Sequence, residues 1–217
     1  MAERCIGVDE SGKGDYFGPL VVAACYVGPE HLAELEDVRE SKKVTDAQCL
    51  RLAGKVRATC PNKVVVFSPL KYNELHGKMR NLNRMLAWAH ARAIEDLLER
   101  NQDVLNGPQP VRAISDQFAK PDAVTERLFE LGKGIRFESR VRAESELCVA
   151  AASLLARAAF LYKLKDLSEE WGVTLPKGAG PAVIAAGRAF VAKHGRQRLS
   201  EVAKVHFRTT ESVLQAG

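Results

Sequence analysis

Aromatic residues are scarce, at 6% of 217 positions, which argues against recognition built mainly on aromatic stacking platforms. The five cysteines, Cys5, Cys25, Cys49, Cys60 and Cys148, are odd in number, scattered, and form no C-x-x-C pair. That pattern speaks against structural zinc and against a disulfide framework, and leaves reduced, mostly buried thiols. Long apolar runs are also lacking. Pro19–Val27 and Ala150–Leu161 are the best candidates, both are short for a bilayer, and Arg157 interrupts the second. Near the N-terminus, Asp9 and Glu10 stand where a secretory signal needs its apolar core. There is no internal repeat and no low-complexity linker. The expectation is a soluble, cytoplasmic chain without membrane association, monomeric by default.

What is present is enough apolar material for a sizeable core, 46% of the chain. The net charge of +5 is unevenly placed. From Gly172 to Gly217, seven Lys and Arg residues face two Glu, and the remainder of the chain balances. A basic C-terminal section suits a polyanion, although a solvated helical surface would look the same.

Strand-like and helix-like text alternates. Arg4–Asp9 reads as a strand running into the turn sequence Glu10-Ser-Gly-Lys-Gly, and Pro19–Val27 as a second strand. Thr45–Thr59 carries Cys49, Leu52, Ala53 and Val56 at helical spacing behind a Thr cap. Lys63–Phe67, a short β-branched run, predicts a buried strand and Asn83–Arg100 a helix; Asn101–Pro110 predicts a loop and Val111–Asp116 a strand ending in a carboxylate. Pro121–Leu131 reads as helix, Gly134–Glu138 as strand, and Ala143–Lys165 as a long helix. After the loop Leu175–Pro181, two shorter helices follow, around Ala182–Lys193 and Gln197–Val205. The pattern predicts one α/β domain over residues 1–217, with a basic helical C-terminal section from about residue 172 to 217.

Four carboxylates carry the chemistry. Asp9 and Glu10 are adjacent acids closing an apolar strand. Three glycines lie between Ser11 and Gly18, and such a loop lets backbone N–H groups approach a phosphate. An anion-binding loop beside two anions makes sense if a cation sits between them, whereas the ordinary reading is a surface pair opening a turn. Asp116 ends another apolar strand; laid parallel beside the first, it would bring its carboxylate to the same sheet edge, and otherwise it is a turn-initiating Asp. If Glu144 belongs to the long helix, it lies within about 60° of Leu147, Ala151, Leu155 and Ala158 at ~100° per residue. It would then share the buried stripe, or sit in the first turn favoured by the helix dipole. Four acids with no His or Cys cluster select a hard divalent ion, Mg²⁺ or Mn²⁺, and such a site performs phosphoryl chemistry.

The string Gly7-Val-Asp-Glu-Ser-Gly-Lys-Gly-Asp-Tyr-Phe-Gly-Pro-Leu20 closely resembles the opening motif of the ribonuclease HIII family, where type 2 relatives usually have Ala and Arg in place of Ser11 and Lys13. Further matches run along the chain: Glu40–Lys43, Asn81–His90, Ile114–Asp116, Arg142–Ser145 with Ala150–Ser153, Leu175–Gly178 and Val205–Phe207. The resemblance implies the ribonuclease H-like fold, a central mixed sheet flanked by helices with a helical C-terminal section. It implies that Asp9, Glu10, Asp116 and Glu144 are both the catalytic residues and the metal ligands, with Glu in the fourth place as the type 3 pattern. Ser11, Gly12, Lys13 and Gly14 would hold the substrate backbone and sense a ribose 2′-hydroxyl. Ser41, Lys42 and Lys43 resemble a backbone-binding motif and Asn83 a polar substrate contact; a basic loop and a helix N-cap are their ordinary readings. His206 resembles a recurring family position and is otherwise a packed or surface His.

The implied function is metal-dependent, endonucleolytic hydrolysis of the RNA strand in an RNA/DNA hybrid, leaving 5′-phosphate and 3′-hydroxyl ends. Its rivals are type 2 incision at single ribonucleotides, non-catalytic binding of hybrids, and a DNA nuclease on the same fold. Two departures stand out. The opening motif begins at residue 9, whereas many type 3 enzymes carry an N-terminal substrate-binding domain, and position 40 is Glu where Asp is more usual.

Overall fold

The structure, a computed structural model, describes residues 4–39, 44–107, 110–117 and 123–215. Its strands are β1 (Cys5–Ser11), β2 (Leu20–Val27), β3 (Asn62–Phe67), β4 (Arg112–Asp116) and β5 (Arg136–Arg140). Its α-helices are α1 (Glu36–Arg39), α2 (Asp46–Thr59), α3 (Pro69–Met79), α4 (Leu82–Arg100), α5 (Leu147–Trp171), α6 (Pro181–His194) and α7 (Thr209–Leu214).

The strands form one sheet in the order β3-β2-β1-β4-β5. β1 runs parallel to β4, with Cys5 opposite Arg112 and Val8 opposite Ser115. β4 runs parallel to β5, with Arg112 opposite Arg136 and Asp116 opposite Arg140. β2 is buried at all eight positions, as expected of a central strand made of Val, Ala, Leu, Cys and Tyr. The class is α/β, a mixed sheet with flanking helices, as expected.

The chain divides into two compact units. The first comprises Met1–Glu10, Val22–Val65 and Asn81–Ala158 and contains most of the sheet. In it, α2 is started by a reciprocal cap: the Thr45 hydroxyl accepts from the Gln48 amide at 3.2 Å, and the Gln48 side chain accepts from the Thr45 amide at 2.9 Å. α2 buries Cys49, Leu52, Ala53 and Val56, the stripe read from spacing. α4 and α5 cover opposite faces of β1. Residues of a strand alternate between faces, so Cys5, Gly7 and Asp9 share one side and Ile6, Val8 and Glu10 the other. Cys148, in the first turn of α5, brings its sulfur within 2.7 Å of the Cys5 sulfur. A Cβ on Gly7 would collide with the backbone of Cys148 and Val149, so glycine here is a condition for α5 to lie on β1.

The second unit comprises Ser11–Val21, Val66–Arg80 and Ala159–Gly217. Asn73 of α3 donates to the carbonyls of Ser200 and Ala203, at 3.1 and 2.9 Å, and accepts from the Val205 amide at 3.1 Å. Trp171 packs on Phe190 of α6 with ring centroids 5.3 Å apart, and the Arg198 guanidinium stands 4.2 Å from the Trp171 ring centre.

Several expectations are corrected. No run looked long enough to cross a bilayer, yet the 25-residue α5 meets that criterion by length and composition. In this fold, 67% of its most apolar stretch is buried, so its apolarity belongs to a core helix. The long helix starts at Leu147 rather than Ala143. Arg142 is left-handed at φ 60, Ala143–Ser145 forms a 3₁₀ turn, and Glu146 is extended at ψ 128, which breaks the helical path before α5. From residue 123 onward, the segment read as helix over Pro121–Leu131 is a 3₁₀ turn at Thr125–Arg127, with a second at Gly132–Gly134; Pro121 lies outside the described residues. The strand expected at Gly134–Glu138 sits two residues later, and Gln197–Val205 is represented by a 3₁₀ turn, Arg196–Glu201. Helices α1, α3 and α7 have no counterpart among the expected elements, and β3, expected to be buried, is mostly half-buried with Val66 exposed. The five cysteines are free and buried, as expected.

Candidate metal centre

β1 and β4 are neighbours in parallel register, and one step beyond Val8 and Ser115 lie Asp9 and Asp116. Parallel partners project to the same face, so these two acids leave the sheet at the same end and side, on strands about 4.8 Å apart. Asp116 accepts a hydrogen bond from the Ala143 amide at 3.2 Å, which brings the 3₁₀ turn carrying Glu144 to the end of β4. Three of the four acids thus belong to elements that meet at one corner of the sheet. Glu10 projects to the opposite face. There, its Oε2 lies 3.0 Å from Nε2 of His90, which is wholly buried on α4.

Burial and the neighbouring charge of Glu10 push the Asp9 carboxyl up from 3.8 to about 6. A hydrogen bond from the Ser153 side chain on α5 and the Glu10 amide at 2.9 Å pull the other way. Three of the four acids have a partner in this arrangement: Asp9 has Ser153 and a backbone amide, Glu10 has His90, and Asp116 has the Ala143 amide. Among the described residues, no group of three or more His, Cys, Asp or Glu side chains is disposed to hold a metal ion. The donor set nevertheless fits a hard divalent cation, being all oxygen, and a cation there would offset both the burial of the Asp9 carboxylate and its repulsion by Glu10.

Glu144 does not lie on the buried stripe of the long helix. It precedes α5, its residue is exposed, and the 3₁₀ turn takes it off the α-helical path. What places it is the left-handed Arg142, whose carbonyl accepts from the Ser145 amide at 3.3 Å and the Ser145 hydroxyl at 3.1 Å. A non-glycine residue held in that conformation is strained by about 1–3 kcal/mol and persists where the surroundings enforce it.

In the second unit, the Asp15 amide bonds the Gly12 carbonyl at 3.4 Å and closes the turn Gly12–Asp15. The two glycines of this turn differ. Gly12 has φ +86, and a Cβ there would strike the Pro19 carbonyl and lie 2.9 Å from the Phe160 ring. Gly14 is exposed, and a Cβ on it would meet nothing within 4 Å. Packing therefore accounts for Gly12 and does not account for Gly14. Ser11 and Lys13 are half-buried. Asn83 is exposed in the first turn of α4 and is not its cap; Asn81 is, accepting from the Arg84 amide at 3.0 Å. Ser41, Lys42 and Lys43 lie outside the described residues. His206 is exposed and stacks on His76 with ring centroids 3.9 Å apart.

Sequence reasoning missed His90 and Ser153, which hold Glu10 and Asp9. Both left a signal: each is a polar residue inside a helical run of Ala, Leu and Met, where a polar group needs a partner.

The family model described as Ribonuclease HII matches residues 6–210. The chain is 43% identical over 215 residues to Ribonuclease HIII of Chlamydia pneumoniae, covering 96% of this chain and 69% of that one. It is 40% identical over 211 residues to Ribonuclease HIII of Protochlamydia amoebophila, covering 96% and 68%. Its fold is similar to the crystal structure of Bst-RNase HIII in complex with Mn²⁺, with TM-score 0.88 and 34% identity, covering 98% of this chain and 70% of that one.

Proposed function

Because the chain belongs to the ribonuclease HII family, with ribonucleases HIII among its relatives, we infer that it is an endonuclease hydrolysing the RNA strand of RNA/DNA hybrids with a divalent metal ion. The observation that carries the reading is the parallel pairing of β1 and β4, which sets Asp9 and Asp116 side by side at one sheet end. A hard cation would be held by Asp9 and Asp116 as principal ligands, with Glu144 completing the oxygen set and Glu10, whose carboxylate lies on the other face against His90, joining it by turning around the end of the strand. Bound there, Mg²⁺ or Mn²⁺ would neutralise charge on the scissile phosphate and lower the pKa of an attacking water.

The chain's own residues do the rest. His90 and Ser153 hold Glu10 and Asp9 on opposite faces of β1, so Asp9 need not be ordered when substrate arrives. Ser11, Gly12, Lys13 and Gly14 follow Glu10 directly and hold the backbone of the RNA strand. The missing side chain at Gly14, which packing does not require, leaves room for a sugar or phosphate, and a 2′-hydroxyl contact there distinguishes RNA from DNA. Ser41, Lys42, Lys43 and Asn83 add backbone contacts. Water enters opposite the 3′-oxygen, the P–O3′ bond breaks, and 5′-phosphate and 3′-hydroxyl ends result.

The test is a set of three duplexes, an RNA/DNA hybrid, all-DNA, and DNA with one ribonucleotide, each with Mg²⁺ and with Mn²⁺. Multiple cuts in the hybrid RNA strand and none in DNA are expected. Efficient cutting only beside the single ribonucleotide would point to type 2 behaviour. Hybrid binding without turnover in either metal would overturn the enzyme.

A further inference from the structure

Lys204 carries an ammonium group into the interior of the second unit, where the residue is wholly buried. Its Nζ donates to the carbonyl oxygens of Gly18 at 2.7 Å and Asp15 at 2.8 Å, with the Phe17 carbonyl at 3.5 Å. Its backbone amide donates to the Tyr16 carbonyl at 2.8 Å. One residue therefore takes all four carbonyls of the stretch Asp15–Gly18. Three carbonyl dipoles that point their negative ends at one spot repel each other unless a positive charge occupies it. The stretch can hold this shape because the ammonium is there.

Burying a lysine is expensive, and desolvation pushes this ammonium down to about 7 from its ordinary 10.5, while the charge of Asp15 opposes the shift. A leucine or methionine would fill the same space without that penalty, so packing alone does not explain the residue. What the ammonium holds is the downstream half of the Gly12–Asp15 turn. Asp15 is fixed further by its side chain, which accepts from the Gly178 amide at 2.6 Å, and its neighbour's amide, Tyr16 N, bonds the Gly178 carbonyl at 2.8 Å. The turn is thus anchored on its far side and open at Gly14.

We propose that Lys204 is a positioning residue for the RNA/DNA hybrid: as an internal counter-ion to the carbonyls of Asp15–Gly18, it sets the conformation in which the Gly12–Gly14 loop meets the sugar-phosphate backbone. This rests on the reading of that loop as a substrate contact. Lys204 itself touches no substrate.

Lys204→Met keeps the stem and removes the charge. It is expected to raise KM for hybrid about tenfold, with kcat changed less than threefold. Amide exchange at Lys13–Gly18 should speed up at least tenfold, with exchange along β1 and β4 unchanged. Lys204→Gln, which restores two N–H donors, should fall between Met and wild type on both readouts, and it carries the test if the Met variant does not fold. Faster exchange with unmoved KM would reduce Lys204 to a structural role and overturn the proposal. Unchanged exchange in a folded variant would overturn it as well. A wild-type chain that neither binds nor cuts hybrid would instead sink the proposed function, and the exchange data would still decide whether Lys204 holds the loop.

Discussion

Each unit contains a charge where charge is costly, and the two are treated differently. Lys204, in the second unit, is surrounded by carbonyl dipoles aimed at it, and its positive charge is matched on the spot. Asp9, in the first, is raised chiefly by burial and next by the charge of its chain neighbour Glu10, which adds to its burden. A structural charge is compensated by the fold that contains it. Burial moves both groups toward their neutral forms, Lys204 down to about 7 and Asp9 up to about 6, so the contrast lies in the sign of their neighbours and not in the size of the shift. Neighbours of opposite sign keep a charge in place, whereas a neighbour of like sign leaves room for a cation.

The largest effect that would break this contrast is on turnover. Asp9→Asn should lower hybrid cleavage by about 10³-fold or more, because losing a principal ligand removes several kcal/mol of transition-state stabilisation. Circular dichroism should show the fold retained, and preserved activity would end the metal-centre reading. Next is the support beneath Asp9. Gly7→Ala forces α5 off β1 and should destabilise the first unit by about 3 kcal/mol, measured by urea unfolding; an unchanged midpoint would mean that the close approach is not needed.

The shift at Asp9 can itself be titrated. The Asp9 carboxyl is raised to about 6 from 3.8, so the folded state binds more protons than the unfolded state between those values. Without divalent metal, stability should therefore fall as pH rises from about 4 to above 6, by roughly 3 kcal/mol from this group. Mn²⁺ at neutral pH should reverse the loss, and Asp9→Asn should flatten both responses. If metal-free stability climbs through pH 6 in wild type just as in the variant, the Asp9 carboxyl is not raised. The smallest effect sharpens the contrast from the loop side. Gly14→Ala should leave stability within about 0.5 kcal/mol, since the added methyl meets nothing, while raising KM for hybrid several-fold.

Much of this was legible in the sequence. β1, β2 and β4 are short apolar runs that end at charged or turn residues, and α2 and α4 show helical spacing, so their existence and the carboxylates at their ends could be read directly. Parallel pairing of β1 with β4 was the assumption that turned two distant acids into neighbours, and the register supports it. The failures share one cause. Around Glu144 and over Thr125–Gly134 the backbone is 3₁₀ turns and a left-handed residue, and these are decided by local hydrogen bonds and contacts rather than by apolar period. Lys204 illustrates the converse: in the sequence it is one more basic residue of a basic tail, and only the three-dimensional path of Asp15–Gly18 gives it a role.

Helix α5 has a consequence for how the chain is made. It is long and apolar enough over 25 residues to be mistaken for a membrane segment, and while unprotected its apolar surface can stick to other surfaces. All five strands lie between residues 5 and 140, ahead of it in order of synthesis. When the ribosome releases α5, at roughly 5–20 residues per second, the strand it docks on has already been translated. The order of elements along the gene thus shortens the time this helix spends without a shelter.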